Sequence, residues 1–272
     1  MKSLLVSVNY SDYLECVLPM NNRSFEEIIV VTVKSDVECQ RICKQYSNVT
    51  CIVAPDSMLK ENGAVFNKGA LLNQGMRYLI SNEYAGYLCL TDSDVIFNDI
   101  RLTEHVKELT SLGINCRTTL MGMARYIIES CEDYITWKNN PNLDHKFLKR
   151  LGDEKERTLL GYAQIFYFDY NDKWRDHLDR PVWELDENCY NAQQVDAKFI
   201  GNFLNRAKSQ DNWRKKTVNN TDTYRFERLI YSGNTEGLEY CVHIEDSNLY
   251  CIHVGETWLN RDGRITDKWI NI

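Results

Sequence analysis

Tyr87–Phe97, YLCLTDSDVIF, is the stretch whose reading decides the fold. A mostly apolar run enters Thr91-Asp92-Ser93-Asp94, and a second apolar run, Val95-Ile96-Phe97, follows at once. A short apolar run bounded in this way predicts a buried strand with two carboxylates at its carboxyl end. In an extended backbone residues two apart project to the same side, so Asp92 and Asp94 are expected to face one small volume. Two like charges held that close call for a counter-charge. A hard divalent cation with oxygen ligands, shared with a phosphate-bearing substrate, supplies one. Asp-x-Asp also arises by chance in solvated turns and helix caps. Its place just beyond a hydrophobic strand favours the ligand reading, because open α/β sheets bind ligands outside the carboxyl ends of their strands.

The totals limit the choices. A chain of 272 residues with 43% hydrophobic content can build a sizeable core. Its net charge of -7 argues against a nucleic-acid-binding surface, and no run of 18 apolar residues is long enough for a membrane span. Met1–Val8 carries a lysine and an apolar stretch but no small-residue cleavage site, so it is expected to be a first strand and not a signal peptide. The ten cysteines include no C-x-x-C pair, and Cys51, Cys89 and Cys251 sit inside apolar runs. Reduced core thiols in a cytoplasmic protein are the expectation. Sequons at Asn22, Asn48 and Asn219 would matter only in a secretory lumen.

Upstream of the central stretch, strands are predicted at Leu4–Val8, Phe25–Val33 and Val49–Val53. Helices are predicted around Tyr13–Leu18 and over Val37–Tyr46, the second capped by Ser35 or Asp36. Alternation of this kind implies a parallel sheet with right-handed crossovers. A further helix opens at Asn67, with Leu71, Leu72, Met76, Leu79 and Ile80 on its apolar face. Lys68 then falls in the first turn, against the helix dipole, a placement that makes sense beside a bound anion and is otherwise an ordinary exposed lysine.

Downstream, Ile100–Leu112 is predicted to be helical, and 120–150 mixes aromatic and polar residues as an insertion or acceptor-side loop would. Gly152–Arg157 is a charge run, expected to be solvated. Gly161–Phe168 is predicted to be a strand carrying one amide, Gln164, which either satisfies neighbouring backbone or faces a ligand. From about Ala192 a helix is predicted in which Asp196 lies near the apolar face, paired structurally or catalytic. Near the end, His253 closes an apolar strand, ten residues after His243, as either a hydrogen-bonded core residue or a ligand.

Taken in order, VSVNY, FNKGALLNQG, LTDSDVIF, GYAQIFYF, VDAKF and HVGETW resemble the GT-A family of nucleotide-sugar-dependent glycosyltransferases over most of the chain. The resemblance implies an α/β fold with a Rossmann-like, mostly parallel central sheet flanked by helices. It implies one domain over 1–272, with a nucleotide-sugar-binding half at 1–100 and an acceptor-binding half at 101–272. It further implies that Asp94 and His253 bind a divalent metal, Mn2+ or Mg2+, and that Asp92 binds the metal or the ribose. Mixed carboxylate and imidazole ligation suits Mn2+ better. Val8, Asn9 and Tyr10 would hold the base, uracil favoured, with Ser93 beside the nucleotide. Lys68 would reach the base or diphosphate, while Gln164 and Trp258 would line the sugar. Asp196 matches the general base of inverting members, acting on a carbohydrate or glycan acceptor hydroxyl.

The match departs from the family at one point, since no acidic pair precedes the helix and Asp196 follows Gln194-Val195. A retaining mechanism, or a base at Asp186 or Glu187, therefore stays open. A sugar-phosphate nucleotidyltransferase would also use a Rossmann-like sheet, metal and acidic residues. It would normally carry a Gly-rich basic loop after the first strand, where this chain has NYSDY. A non-catalytic carbohydrate-binding module is the third possibility.

Overall fold

A computed structural model of the chain describes residues 1–63, 68–97, 102–111, 119–139, 148–150, 163–171, 240–244 and 250–255. Its first half alternates as expected: β1 (Lys2–Val6), α1 (Ser11–Asn21), β2 (Glu27–Val33), α2 (Val37–Cys43) and β3 (Val49–Ala54). A 3-10 helix (Asp56–Gly63), α3 (Lys68–Ser81), β4 (Ala85–Thr91) and the short β5 (Val95–Phe97) follow. Then come α4 (Leu102–Ser111), β6 (Thr119–Ile128), α5 (Cys131–Asn139), β7 (Lys149–Arg150), β8 (Ala163–Asp169), β9 (Tyr240–Ile244) and β10 (Tyr250–Val254). The strands form a mixed sheet in the order β3-β2-β1-β4-β8-β6-β10-β5, with β7 and β9 also on β6. β3, β2, β1 and β4 run parallel, whereas β8 enters antiparallel to β4 and β5 antiparallel to β10.

Burial on both faces explains why these strands read as apolar runs. Leu4, Val6, Ile29, Val31, Val33, Leu88 and Leu90 share one face with Leu71, Leu72, Met76 and Leu79 of α3. The alternate residues Leu5, Ile28, Val30 and Cys89 join Leu14 and Leu18 of α1, Ile42 of α2, and Leu102 and Val106 of α4. Each such side chain contributes about 2 kcal/mol of transfer free energy. Close approach of α3 to β1 depends on Gly75, because a Cβ there would fall on the Leu4 side chain.

Several boundaries differ from expectation. β1 ends at Val6, and Val8 belongs to the following loop, whose Asn9 has the left-handed φ of 64°. α2 stops at Cys43 because Gln45 and Tyr46 donate to Ile42 and Cys43, three residues back, which tightens the exit into 3-10-type turns. The segment read as an insertion or acceptor-side loop instead holds β6, α5 and β7. β6 is an interior strand that pairs β9 through Thr119–Met123 and β10 through Ala124–Ile128. Its polar and aromatic mixture reflects service to several partners, not exclusion from the sheet.

Asp196, Trp258, Asp186, Glu187, Asn67, Asn219 and the charge run at 152–157 lie outside the described residues. Cys16, Cys39, Cys43, Cys51, Cys89, Cys131 and Cys251 are free thiols. At the second sequon, the Asn48 amide nitrogen donates to the backbone oxygens of Asn22 and Phe25, at 2.8 and 3.2 Å. Among the described residues no helix is long and apolar enough to cross a membrane.

Candidate functional site

The site is assembled where β4 ends. The chain leaves the sheet at Thr91, turns through Asp92-Ser93-Asp94, and re-enters at once as β5. Re-entry brings β5 alongside β10, with Val95 opposite His253. The backbone oxygen of Asp94 accepts from Val254 N at 2.8 Å, and Gly255 N donates to Ile128 O at 2.9 Å. These bonds leave His253 Nε2 at 3.0 Å from Asp94 Oδ2. The outer edge of β5 is closed by a side chain: Asn21, the last residue of α1, donates from Nδ2 to Val95 O at 2.8 Å and accepts from Phe97 N at 2.9 Å. A carboxamide here does the work of a missing strand.

Asp92 has a different closest partner. Its Oδ1 lies 2.7 Å from Lys68 Nζ, in an ion pair with both side chains about a quarter to a third exposed (24% and 33%). Lys68 is thus the closest partner of Asp92 and His253 that of Asp94, and Lys68 is near enough to act on the Asp94 charge as well. Among the described residues no group of three or more His, Cys, Asp or Glu side chains is arranged to hold a metal ion. Burial raises the Asp94 pKa, but the charge of His253, its hydrogen bond and the nearby Lys68 outweigh burial, so the net shift is downward and favours the carboxylate.

A divalent cation can be tested against this geometry. Among the described residues Asp94 Oδ1 is buried with no hydrogen-bond partner, an arrangement that costs free energy unless something binds there. The 3.0 Å separation of Asp94 Oδ2 and His253 Nε2 matches neighbouring ligands of an octahedral ion with bonds of about 2.1 Å. One carboxylate and one imidazole form a donor set that first-row divalent metals accept. The residues present fit a cation held from the protein side by Asp94 and His253.

The loop after β1 borders the strand ends. Asn9 is exposed and Tyr10 half-buried, with the Tyr10 ring stacked on Tyr13 at 5.8 Å. Asp36 holds the loop: Oδ2 accepts from Asn9 N at 2.7 Å while Oδ1 caps α2 through Cys39 N at 3.1 Å. Ser93 is buried in the turn between the two aspartates. Gln164 lies on β8 in register with Leu90, two residues before Asp92.

Three contributors were not foreseen. Asn21 gives no sequence signal beyond a polar residue at a helix end. Asp36 was legible as a cap, but its bond to Asn9 was not. Gly255 follows a strand, a weak hint; its φ of 92° and the Tyr13 ring packed against its Cα exclude a side chain.

No family model matches the chain, and neither does any curated protein. Among solved structures, the 4-diphosphocytidyl-2C-methyl-D-erythritol synthase of Anaerococcus prevotii aligns at 13% identity and TM-score 0.42, over 91% of this chain and 88% of that one. TarS of S. aureus aligns at 10% identity and TM-score 0.41, over 75% of this chain and 33% of TarS. Glucosyl-3-phosphoglycerate synthase of Mycobacterium tuberculosis, solved with Mn2+, UDP and phosphoglyceric acid, aligns at 14% identity and TM-score 0.30, over 46% of this chain and 42% of that one.

Proposed function

We propose that the protein is a metal-dependent glycosyltransferase of GT-A type that moves a sugar from a nucleoside diphosphate sugar, UDP favoured, to a hydroxyl of a carbohydrate or glycan acceptor. The observation that carries this reading is the Asp94–His253 pair, 3.0 Å apart at the strand ends, beside a lysine already paired with the first aspartate. In this reading Asp94 and His253 hold Mn2+ or Mg2+. When bound, the ion supplies Lewis-acid neutralisation of the departing diphosphate.

The remaining roles fall to the chain. Val8, Asn9 and Tyr10 hold the base, and Asp92 and Ser93 face the ribose and the metal. Lys68 exchanges Asp92 for the diphosphate, a charge-assisted contact of the same kind. Gln164 and Trp258 line the sugar. Asp196 removes the proton of the acceptor hydroxyl as that oxygen attacks an oxocarbenium-like anomeric carbon from the far side, with inversion. Residues 1–100 serve the nucleotide and 101–272 the acceptor, within one domain. A cytoplasmic setting belongs to the same reading, supported by buried thiols such as Cys89 and Cys251.

Incubation with Mn2+ and a panel of nucleotide sugars, followed by assay for free nucleoside diphosphate, tests the proposal. Slow hydrolysis of one donor, abolished by a chelator, is the expected result. Pyrophosphate released from a nucleoside triphosphate and a sugar phosphate would indicate a nucleotidyltransferase instead. Glycan binding without turnover would indicate a binding module. Asp196→Asn is expected to abolish transfer while leaving nucleotide affinity nearly unchanged.

A further inference from the structure

The Asp36 carboxylate is engaged on both oxygens although its residue is almost fully buried. Oδ1 accepts from Cys39 N at 3.1 Å and caps α2. Oδ2 accepts from Asn9 N at 2.7 Å and from Thr32 Oγ1 at 3.4 Å. The first bond belongs to any helix cap. The second crosses to another crossover unit and grips the one loop residue there with a positive φ, 64°. Asparagine adopts this left-handed backbone more readily than other residues with a side chain, and the Asp36 bond fixes the loop in it. Cys39, in the same first turn of α2, adds a second contact to this segment: its Sγ lies 3.4 Å from Ser7 Oγ.

We propose that Asp36 is a positioning residue for nucleotide binding: by fixing the Asn9 backbone it presents the Val8–Tyr10 loop to the base, while touching neither metal nor sugar. The inference rests on the glycosyltransferase reading, because that reading puts the base on this loop. Asp36 stands apart from Asp94 and His253 in sequence and in contacts, so its effect should fall on nucleotide affinity and spare the metal.

Asp36→Ser separates the two jobs of this carboxylate. A serine hydroxyl still caps α2, but it is too short to reach Asn9 N. Asp36→Asn is the isosteric companion; its single carbonyl oxygen can serve only one of the two backbone donors, so an intermediate effect is expected. Three quantities are read on the intact chain: hydrogen exchange of the Asn9 amide by NMR, UDP affinity in the presence of Mn2+ by calorimetry, and Mn2+ affinity alone. In Asp36→Ser, exchange at Asn9 should accelerate about a hundredfold and UDP binding should weaken about tenfold, with Mn2+ affinity unchanged.

Undiminished protection of the Asn9 amide, or wild-type UDP affinity in the variant, overturns the proposal and leaves the glycosyltransferase reading standing. Parallel loss of Mn2+ affinity also overturns it, since the effect would then be general. Wild-type protein that binds no nucleoside diphosphate overturns both together.

Discussion

Replacing Asn21 with alanine removes both hydrogen bonds that close the outer edge of β5. The carboxamide is 1% exposed, and its partners belong to Val95 and Phe97, themselves buried. The variant therefore strands one backbone carbonyl and one backbone N–H where water does not reach. Each unsatisfied group costs about 1–3 kcal/mol, so the pair costs about 2–6 kcal/mol, a large share of the roughly 5–15 kcal/mol by which domains are stable. At about 2–4 °C per kcal/mol in a chain of this size, the melting temperature should fall by roughly 4–24 °C. Denaturant and thermal unfolding measure the loss directly. Asn21→Leu is the control, because it restores volume without restoring either bond and should remain nearly as unstable as alanine. Mn2+ affinity supplies a second reading, since β5 carries the backbone that sets Asp94 against His253. The reasoning is refuted if alanine lies within about 0.5 kcal/mol of wild type, or if leucine restores full stability.

Three further outcomes are expected. His253→Ala should lower Mn2+ affinity by at least about tenfold, as loss of one of two protein ligands would; Mn2+ binding followed by electron paramagnetic resonance checks this, and an unchanged isotherm contradicts the proposed site. Gly255→Ala puts a Cβ onto the Tyr13 ring at a φ of 92°, so it should destabilise by about 2 kcal/mol or more, with partial rescue in the Tyr13→Ala double variant. At Glu27, burial raises the pKa but hydrogen bonds from Lys2, Thr50 and Tyr78 outweigh it, and the net shift is downward. A depressed carboxyl stabilises the fold above its ordinary titration range and loses that contribution as pH falls through the folded value. Glu27→Gln should thus be less stable than wild type at about pH 7, with the gap in urea midpoints closing as pH falls through the depressed folded value; a gap that widens on acidification would contradict the assignment.

The first half of the fold was legible because its signals are local. Strands β1, β2 and the second half of β4 are buried on both faces, so they read as apolar runs, and each helix between them carries one apolar stripe. β6 was missed for the opposite reason: it pairs β8, β7, β9 and β10 in turn, and no single period of hydrophobicity describes a strand with so many environments. At the site, the chemistry of Asp92, Asp94, Lys68 and His253 could be read from residue type and position. The pairing could not. Two carboxylates two residues apart were expected to need a counter-charge, but nothing in their spacing told that Lys68 would pair with Asp92 and His253 with Asp94. Asn21 and Asp36 act through backbone groups distant in sequence, and such contacts leave no spacing to detect.

The antiparallel ladder between β5 and β10 has a consequence for how the protein is made. Its two strands stand near positions 95 and 253, so the whole stretch between them must leave the ribosome before Asp94 meets its imidazole. The β1–β4 ladder needs only the first 91 residues and can form while synthesis continues. Contacts of such long sequence separation close late and slowly. During translation the nascent chain thus carries its β1–β4 scaffold before the Asp94–His253 pair can form.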